Sequence, residues 1–237
     1  MVNLIDADIV SYRAASSCEP TKAKPFLEPC EVALFRLHDM VQTIIKGTNS
    51  NEMEFYIGGE NNFRKEIYPE YKANRTKPPP SWLQDCREIL VTQYNATVVN
   101  GMETDDALGI AQTKYDGNSR IVSIDKDLLQ VPGYHYNWVK NEHTLVSPLD
   151  GLRTFYKQLI AGDGTDNIPS YDGKVRNSIP QFIQKLQAPI DEMINEVDMY
   201  EYVKQIYQNE SDVVLHRNAQ LLYILKQEEE YWKVPSG

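Results

Sequence analysis

The stretch RIVSIDKDLLQ, Arg120 to Gln130, runs a short β-branched segment, Arg120–Ile124, straight into Asp125 and Asp127. A strand that ends in two acids is the element from which the rest of the chain can be read. The same pattern recurs upstream. Val2–Ile5 ends in Asp6, with Asp8 two positions on, and Ala96–Val99 leads through Asn100 and Gly101 to Glu103, Asp105 and Asp106 at a helix start. Met53–Ile57 and Tyr134–Trp138 complete the expected strands. Between them, Glu31–Lys46, Trp82–Val91 and Thr104–Lys114 carry helical patterns, the first with apolar residues at Leu34, Leu37, Val41, Ile44 and Ile45.

Strands that alternate with helices predict an α/β fold, a central mostly parallel sheet flanked by helices. After about Ser147 the pattern turns wholly helical, with helices expected over Pro148–Ala161, Ile179–Leu186, Met199–Tyr207 and Val213–Glu229. The expected organisation is an α/β body over 1–147, with a small arch near 64–95, and a helical C-terminal region over 148–237 packed with it as one compact unit. The 237 residues include no long linker, charge block or repeat. Apolar Leu221, Leu222 and Leu225 assign the last helix to packing, with Trp232 at that interface.

Cys18, Cys30 and Cys86 form no CxxC pair and leave an odd one over, which argues against a disulfide framework or a thiolate zinc site. The N-terminus has too short an apolar run for a signal peptide, and no run approaches the roughly 20 apolar residues of a membrane span. The expectation is a monomeric cytoplasmic protein that engages no membrane, or one in a host's cytoplasm if phage-encoded.

In open parallel sheets ligands collect at the carboxyl ends of the strands, where this chain places its acids. A further pair comes from LIAGDGTDNIPS, Leu159 to Ser170, which sets Asp163 and Asp166 in a glycine-rich turn. Each acid has a structural alternative as a helix cap or a turn residue. Gathered together, however, like charges repel unless a cation lies between them. The four histidines, His38, His135, His143 and His216, form no HExxH, so an oxygen-only set points to Mg²⁺ or Mn²⁺. Two such ions roughly 4 Å apart are a known solution for attack on a phosphodiester. The net charge of −10 does not oppose this, because without the candidate acids the chain is close to neutral.

A basic stripe is also present. FRKEIYPEYKANRTK, Phe63 to Lys77, interleaves Arg64, Lys65, Lys72, Arg75 and Lys77 with Phe63, Tyr68 and Tyr71. Such a mixture suits a groove that tracks a nucleic-acid backbone and offers a stacking platform. A solvated helix face with buried aromatics is the alternative.

The ordered set LIDADIVSYRA, FRKEIYPEYKANR, ETDDALG, SIDKDLLQ and GDGTDNIP resembles the 5′-nuclease superfamily of flap endonucleases and 5′→3′ exonucleases, especially its small stand-alone phage and bacterial members. The resemblance runs from the N-terminus to about Pro169 and implies a metal-dependent nuclease that acts on DNA at a 5′ end or flap. It implies that Asp6, Glu103, Asp105, Asp106, Asp125, Asp127, Asp163 and Asp166 hold two divalent ions, Mg²⁺ or Mn²⁺, with a monovalent cation at the DNA clamp. Asp8 lies outside the match. Lys72 and Arg75 would act on the scissile phosphate, and Tyr71 would stack on the terminal base. Arg64, Lys77, Lys174 and Arg176 are the further DNA-binding candidates, the last two in a helix–three-turn–helix element that follows Asp163.

Three departures stand beside the resemblance. FYIGGENNFR puts Gly58 and Gly59 where the family closes its second strand with aspartate, with Glu60 as the candidate substitute. SYDGKVRNSIPQF offers a single glycine, Gly173, where the family's clamp has a glycine-x-glycine turn, and TKPPP leaves only a small arch. A PIN-like ribonuclease and a non-catalytic DNA-structure-binding protein are the alternative readings.

Overall fold

β1 (Val2–Asp6) carries Leu4 and Ile5 side by side, with neither exposed. Successive strand residues point to opposite faces, so this strand must be covered on both sides. The computed structural model, which describes residues 1–208 and 212–236, shows why. β1 joins β2 (Met53–Gly58), β3 (Thr97–Val99), β4 (Ser119–Val122), β5 (Gly133–Asn137) and β6 (Glu142–Val146) in a six-stranded sheet of order β3-β2-β1-β4-β5-β6. The β1–β2, β1–β4, β2–β3 and β4–β5 pairs are parallel. The short turn between β5 and β6 makes that last pair antiparallel. A mostly parallel sheet flanked by helices is the expected fold.

The chain forms two units. The first is Met1–Asn61, Lys77–Asp125 and Gly133–Leu145; the second is Asn62–Thr76, Lys126–Pro132 and Val146–Gly237. Segments 62–76 and 126–132, assigned to the α/β body from sequence, thus cluster with the helical unit.

In the first unit, Ile5, Phe55, Ile57, Val122 and Tyr136 line one face of the sheet. Against them pack α1 (Ala7–Ser16), α2 (Cys30–Thr48) and, later in the chain, the helix Leu83–Tyr94, through Val10, Ala14, Leu37, Val41, Ile44 and Leu90. Each fully buried Val, Leu or Ile side chain among these contributes about 1.5–3 kcal/mol relative to exposure. The helix Thr104–Lys114 lies against β1, β2 and β4 and buries Leu108.

In the second unit α3 (Arg64–Ile67) is a single turn. The helices Leu83–Tyr94 and Thr104–Lys114 of the first unit are α4 and α5 in chain order. α6 (Pro148–Ala161) begins at Ser147, whose Oγ accepts from Asp150 N at 3.1 Å, followed by a proline whose missing N–H costs nothing there. α7 (Gln181–Gln187), α8 (Glu196–Ile206) and α9 (Asp212–Leu222) complete the unit. Its core gathers Phe155, Tyr156, Leu159, Ile183, Val203 and Leu215, with Trp232 also buried. No helix among the described residues is long and apolar enough to cross a membrane.

Four elements differ from expectation. β4 ends at Val122, not Ile124; just beyond it Ser123 Oγ donates to Asp6 Oδ2 and accepts from Asp125 N. α1 went unread, although Asp6 caps it by accepting from Ile9 N at 3.1 Å. β6 went unread because it is an exposed edge strand with no apolar alternation. The last helix stops at Leu222 instead of Glu229. Arg64 Nε takes the carbonyl of Leu221, Arg64 Nη2 that of Tyr223 and Gln130 Nε2 that of Leu222, and these competing bonds end the helix.

Candidate functional site

The first unit brings five of the expected acids together at the carboxyl end of its sheet. Asp6 closes β1 and is buried; its Oδ1 accepts from Ile9 N at 3.1 Å and its Oδ2 from Ser123 Oγ at 2.8 Å. Burial pushes its carboxyl up to about 7, and repulsion from Asp8 and Asp125 adds to this, while the Ser123 and Ile9 bonds oppose it. Asp105, in the first turn of α5, is raised well above the usual carboxylate range. Burial is the larger cause, followed by repulsion from Asp6, Asp125, Glu103 and Asp106. Glu103 and Asp106 also form a capping box at the start of α5, where Glu103 N donates to Asp106 Oδ2 at 3.1 Å. The helix-cap alternative is therefore realised, but it does not exhaust the arrangement. Caps need no cluster of carboxylates that repel one another.

A cation would relieve the repulsion within such a cluster, and the donor set suits a hard one because it is all oxygen. Among the described residues, no group of three or more His, Cys, Asp or Glu forms a ready-made metal cage. Mg²⁺ commonly takes one or two carboxylates and keeps several waters. An ion held by the first unit's acids would keep several waters in this way, because the described residues do not enclose a metal with protein ligands alone.

At the end of β2 the sequence left a gap that the structure fills with Asp8. Its Oδ2 accepts from Gly58 N at 2.9 Å and from Thr104 Oγ1, and its Oδ1 is ion-paired with Arg87 of α4, which also donates to the Gly58 carbonyl. Glu60 does not take this place: it is exposed, and Asp8 is the acid that bonds Gly58 N. Arg87 was missed in the sequence, where the only hint was the glycine pair at a strand end otherwise expected to carry an acid. Gly58, Gly59, Glu60, Gln84, Arg87 and Asn100 line part of a pocket of about 560 Å³ beside it.

The second unit holds a different constellation. Gly162, at φ 68°, turns the chain out of α6, and Asp163 and Ile168 then exchange backbone hydrogen bonds at 2.9 and 2.8 Å. Asp163 Oδ1 accepts from Thr165 N and Asp166 N, a role inside its own turn. Asp166 is paired with cations. Arg75 Nη2 donates to its Oδ1 at 2.6 Å, Tyr71 Oη to its Oδ2 at 2.8 Å, and Lys72 Nζ stands 3.5 Å away. Lys72 N → Asp166 O and Asn74 Nδ2 → Gly164 O bonds fasten the YKANR turn to the GDGTDNIP loop. The two motifs that are distant in sequence are one structural feature. Asp127 opens a 3₁₀ turn, Asp127–Gln130, in the same unit.

Two DNA-binding expectations are corrected by burial. Tyr71 is only 3 % exposed, with its hydroxyl committed to Asp166, so its ring offers no platform for a base. Arg64 is 2 % exposed and spends its guanidinium on the Leu221 and Tyr223 carbonyls, which removes it from any phosphate surface. Lys77 and Lys174 are exposed. Arg176 is held by Asp172 in a two-point pair at 2.6 and 2.5 Å, which keeps the Asp172 carboxyl well below the usual range.

The chain as a whole has relatives among known proteins. Residues 1–154 match the family model for the 5′-3′ exonuclease, N-terminal resolvase-like domain. The chain belongs to that family. A 5′-3′ exonuclease of Buchnera aphidicola subsp. Baizongia pistaciae is 23% identical over 242 residues, covering 93% of this chain and 78% of its own length. The DNA polymerase I of Borreliella burgdorferi is 30% identical over 151 residues, which span 55% of this chain and only 16% of that polymerase. Among solved structures, the T5 D15 protein co-crystallised with metal ions superposes with a TM-score of 0.64 at 18% identity, covering 93% of this chain and 88% of that one. The bacteriophage T5 D15 flap endonuclease in complex with DNA and metal ions gives the same TM-score at 17% identity. These two likenesses show the fold.

Proposed function

We propose that the chain is a metal-dependent 5′-nuclease that hydrolyses DNA phosphodiester bonds at or near a 5′ end or flap, by two-metal-ion catalysis. The observation that carries the reading is the gathering of Asp6 at the end of β1, Asp125 beyond β4 and Glu103, Asp105 and Asp106 at the start of α5, with Ser123 bridging Asp6 and Asp125; burial first, and then repulsion from the other four, raises the Asp105 carboxyl. Family membership and the likeness to nucleases solved with metal ions and with DNA support it.

Asp6, Glu103, Asp105, Asp106 and Asp125 are the residues that would hold Mg²⁺ or Mn²⁺ in the first unit. Bound there, such an ion lowers the pKa of an attacking water and offsets charge on the phosphate. Ser123 and Ile9 N fix the Asp6 carboxylate from behind, so its orientation is set before any ion arrives. In the second unit, taken by itself, Lys72 and Arg75 are the proposed phosphate-binding cations and Asp127 and Asp163 the proposed metal-holding acids, whereas Asp166, already paired with Arg75 and Lys72, is not proposed as a ligand. Asp166 pre-orients both cations through the contacts it makes to them. Lys77, Lys174 and Arg176 are the proposed contacts to the DNA backbone.

The test is incubation with a 5′-flap duplex in Mg²⁺ and in EDTA, for the native chain and for Asp105→Asn. Cleavage in Mg²⁺ alone, lost in the variant, is expected. Flap binding without cleavage in either Mg²⁺ or Mn²⁺ would leave a DNA-structure-binding protein in its place.

A further inference from the structure

Arg87 sits on α4 with its side chain 26% exposed, drawn to the end of β2 by two acceptors, the Asp8 carboxylate and the Gly58 carbonyl. The arrangement depends on what is missing at position 58. A Cβ there would stand 2.9 Å from Asp8 Oδ2 and 3.3 Å from Thr104 Oγ1, so a side chain on residue 58 would oblige the Asp8 carboxylate to shift from the space it now fills. Asp8, from the first turn of α1, therefore reaches a place that β2 could otherwise have supplied. It brings with it Arg87, a permanent positive charge.

That charge lies on the flank of the acidic cluster. Asp8 stands in the first turn of α1, the helix that Asp6 caps, and Thr104, which donates to Asp8, is the helical neighbour of Asp105. Arg87 is ion-paired with Asp8.

We propose that Arg87 is a positioning residue that holds Asp8 across the space left by Gly58 and, as a fixed cation beside the cluster, sets how strongly the first unit takes up a divalent ion. Its charge weakens uptake of a like-charged ion, and the pairing keeps Asp8 from joining the shell. The inference rests on the metal-binding reading of that cluster.

Calorimetric titration of the full chain with Mn²⁺, without DNA, separates the two. If the native chain takes up no Mn²⁺, the functional reading fails, and the inference fails with it. If it does, Arg87→Gln is expected to bind Mn²⁺ more tightly, on the order of tenfold, because a positive charge is removed nearby. Arg87→Lys, which keeps the charge, should restore native affinity. Asp8→Asn, which leaves the Arg87 charge unopposed, should weaken uptake by a similar factor. Circular dichroism reports the fold of each variant, and Asp8→Asn decides the matter should Arg87→Gln not fold. Native chain and folded variants binding Mn²⁺ alike would overturn the proposal, as would equal tightening by Gln and Lys at position 87.

Discussion

Replacing Arg64 by methionine removes a guanidinium while keeping most of the aliphatic volume, and it tests whether this residue belongs to the core of the second unit. Its Nε and Nη2 donate to the carbonyls of Leu221 and Tyr223 at 2.8 and 2.7 Å, and its guanidinium lies 4.6 Å from the Phe63 ring centroid. Hydrogen bonds that involve a charged group are worth about 1.5–3 kcal/mol each, and the two orphaned carbonyls keep part of their desolvation penalty. Relief from burying the charge offsets some of this, so the net loss is about 3–4 kcal/mol. With an m-value of about 2 kcal/mol/M, the urea midpoint should fall by about 1.5–2 M. Far-UV circular dichroism of the native and variant chains across a urea series measures it. A midpoint within about 0.3 M of native, together with a loss of DNA affinity, would refute the structural assignment and return Arg64 to the phosphate surface.

Other outcomes follow from the same geometry. Because the folded-state pKa of Asp6 is raised to about 7 from the unfolded 3.8, the folded chain retains a proton that the unfolded chain has released between those values. Metal-free stability should therefore fall as pH rises through that window, at about 1.4 kcal/mol per pH unit from this group, and Asp6→Asn should remove that contribution; urea unfolding in EDTA at pH 5 and 7.5 reads it. Gly162→Ala should cost more than about 2 kcal/mol in thermal unfolding, since its φ of 68° disfavours any side chain and a Cβ would meet Ile168 O and Ser170 N at 2.5 Å. Arg75→Ala should lower the slope of log affinity for a flap duplex against log salt by about 1, while Arg64→Met leaves it unchanged.

Much of the first unit was readable because its buried strands announce themselves. Leu4 and Ile5, Phe55 and Ile57, and Ile121 and Val122 are apolar runs that end in a turn or an acid, and a parallel sheet follows from the helices between them. β6 gave no such signal, since an edge strand with exposed residues has nothing to alternate. Asp6, Asp105 and Asp125 were legible because topology alone sends strand ends to one side. The Asp8–Arg87 pair was not, because its partners are 79 residues apart and its reason is a missing side chain at Gly58. In the second unit, composition made Arg64 and Tyr71 look like part of a nucleic-acid surface. Burial decides that question, and burial of an isolated Arg or Tyr depends on packing from residues such as Leu221 and Asp166 that lie far away in the chain.

The central claim is that the first unit's carboxylates are a cation site. Anomalous scattering from a Mn²⁺-soaked crystal tests it most directly. Density for a metal ion is expected within coordination distance of at least one of Asp6, Asp105 and Asp125, with water completing the shell. Crystals saturated with Mn²⁺ that show no metal at these residues, with Asp6 and Asp105 still bonded only to protein groups, would contradict the account.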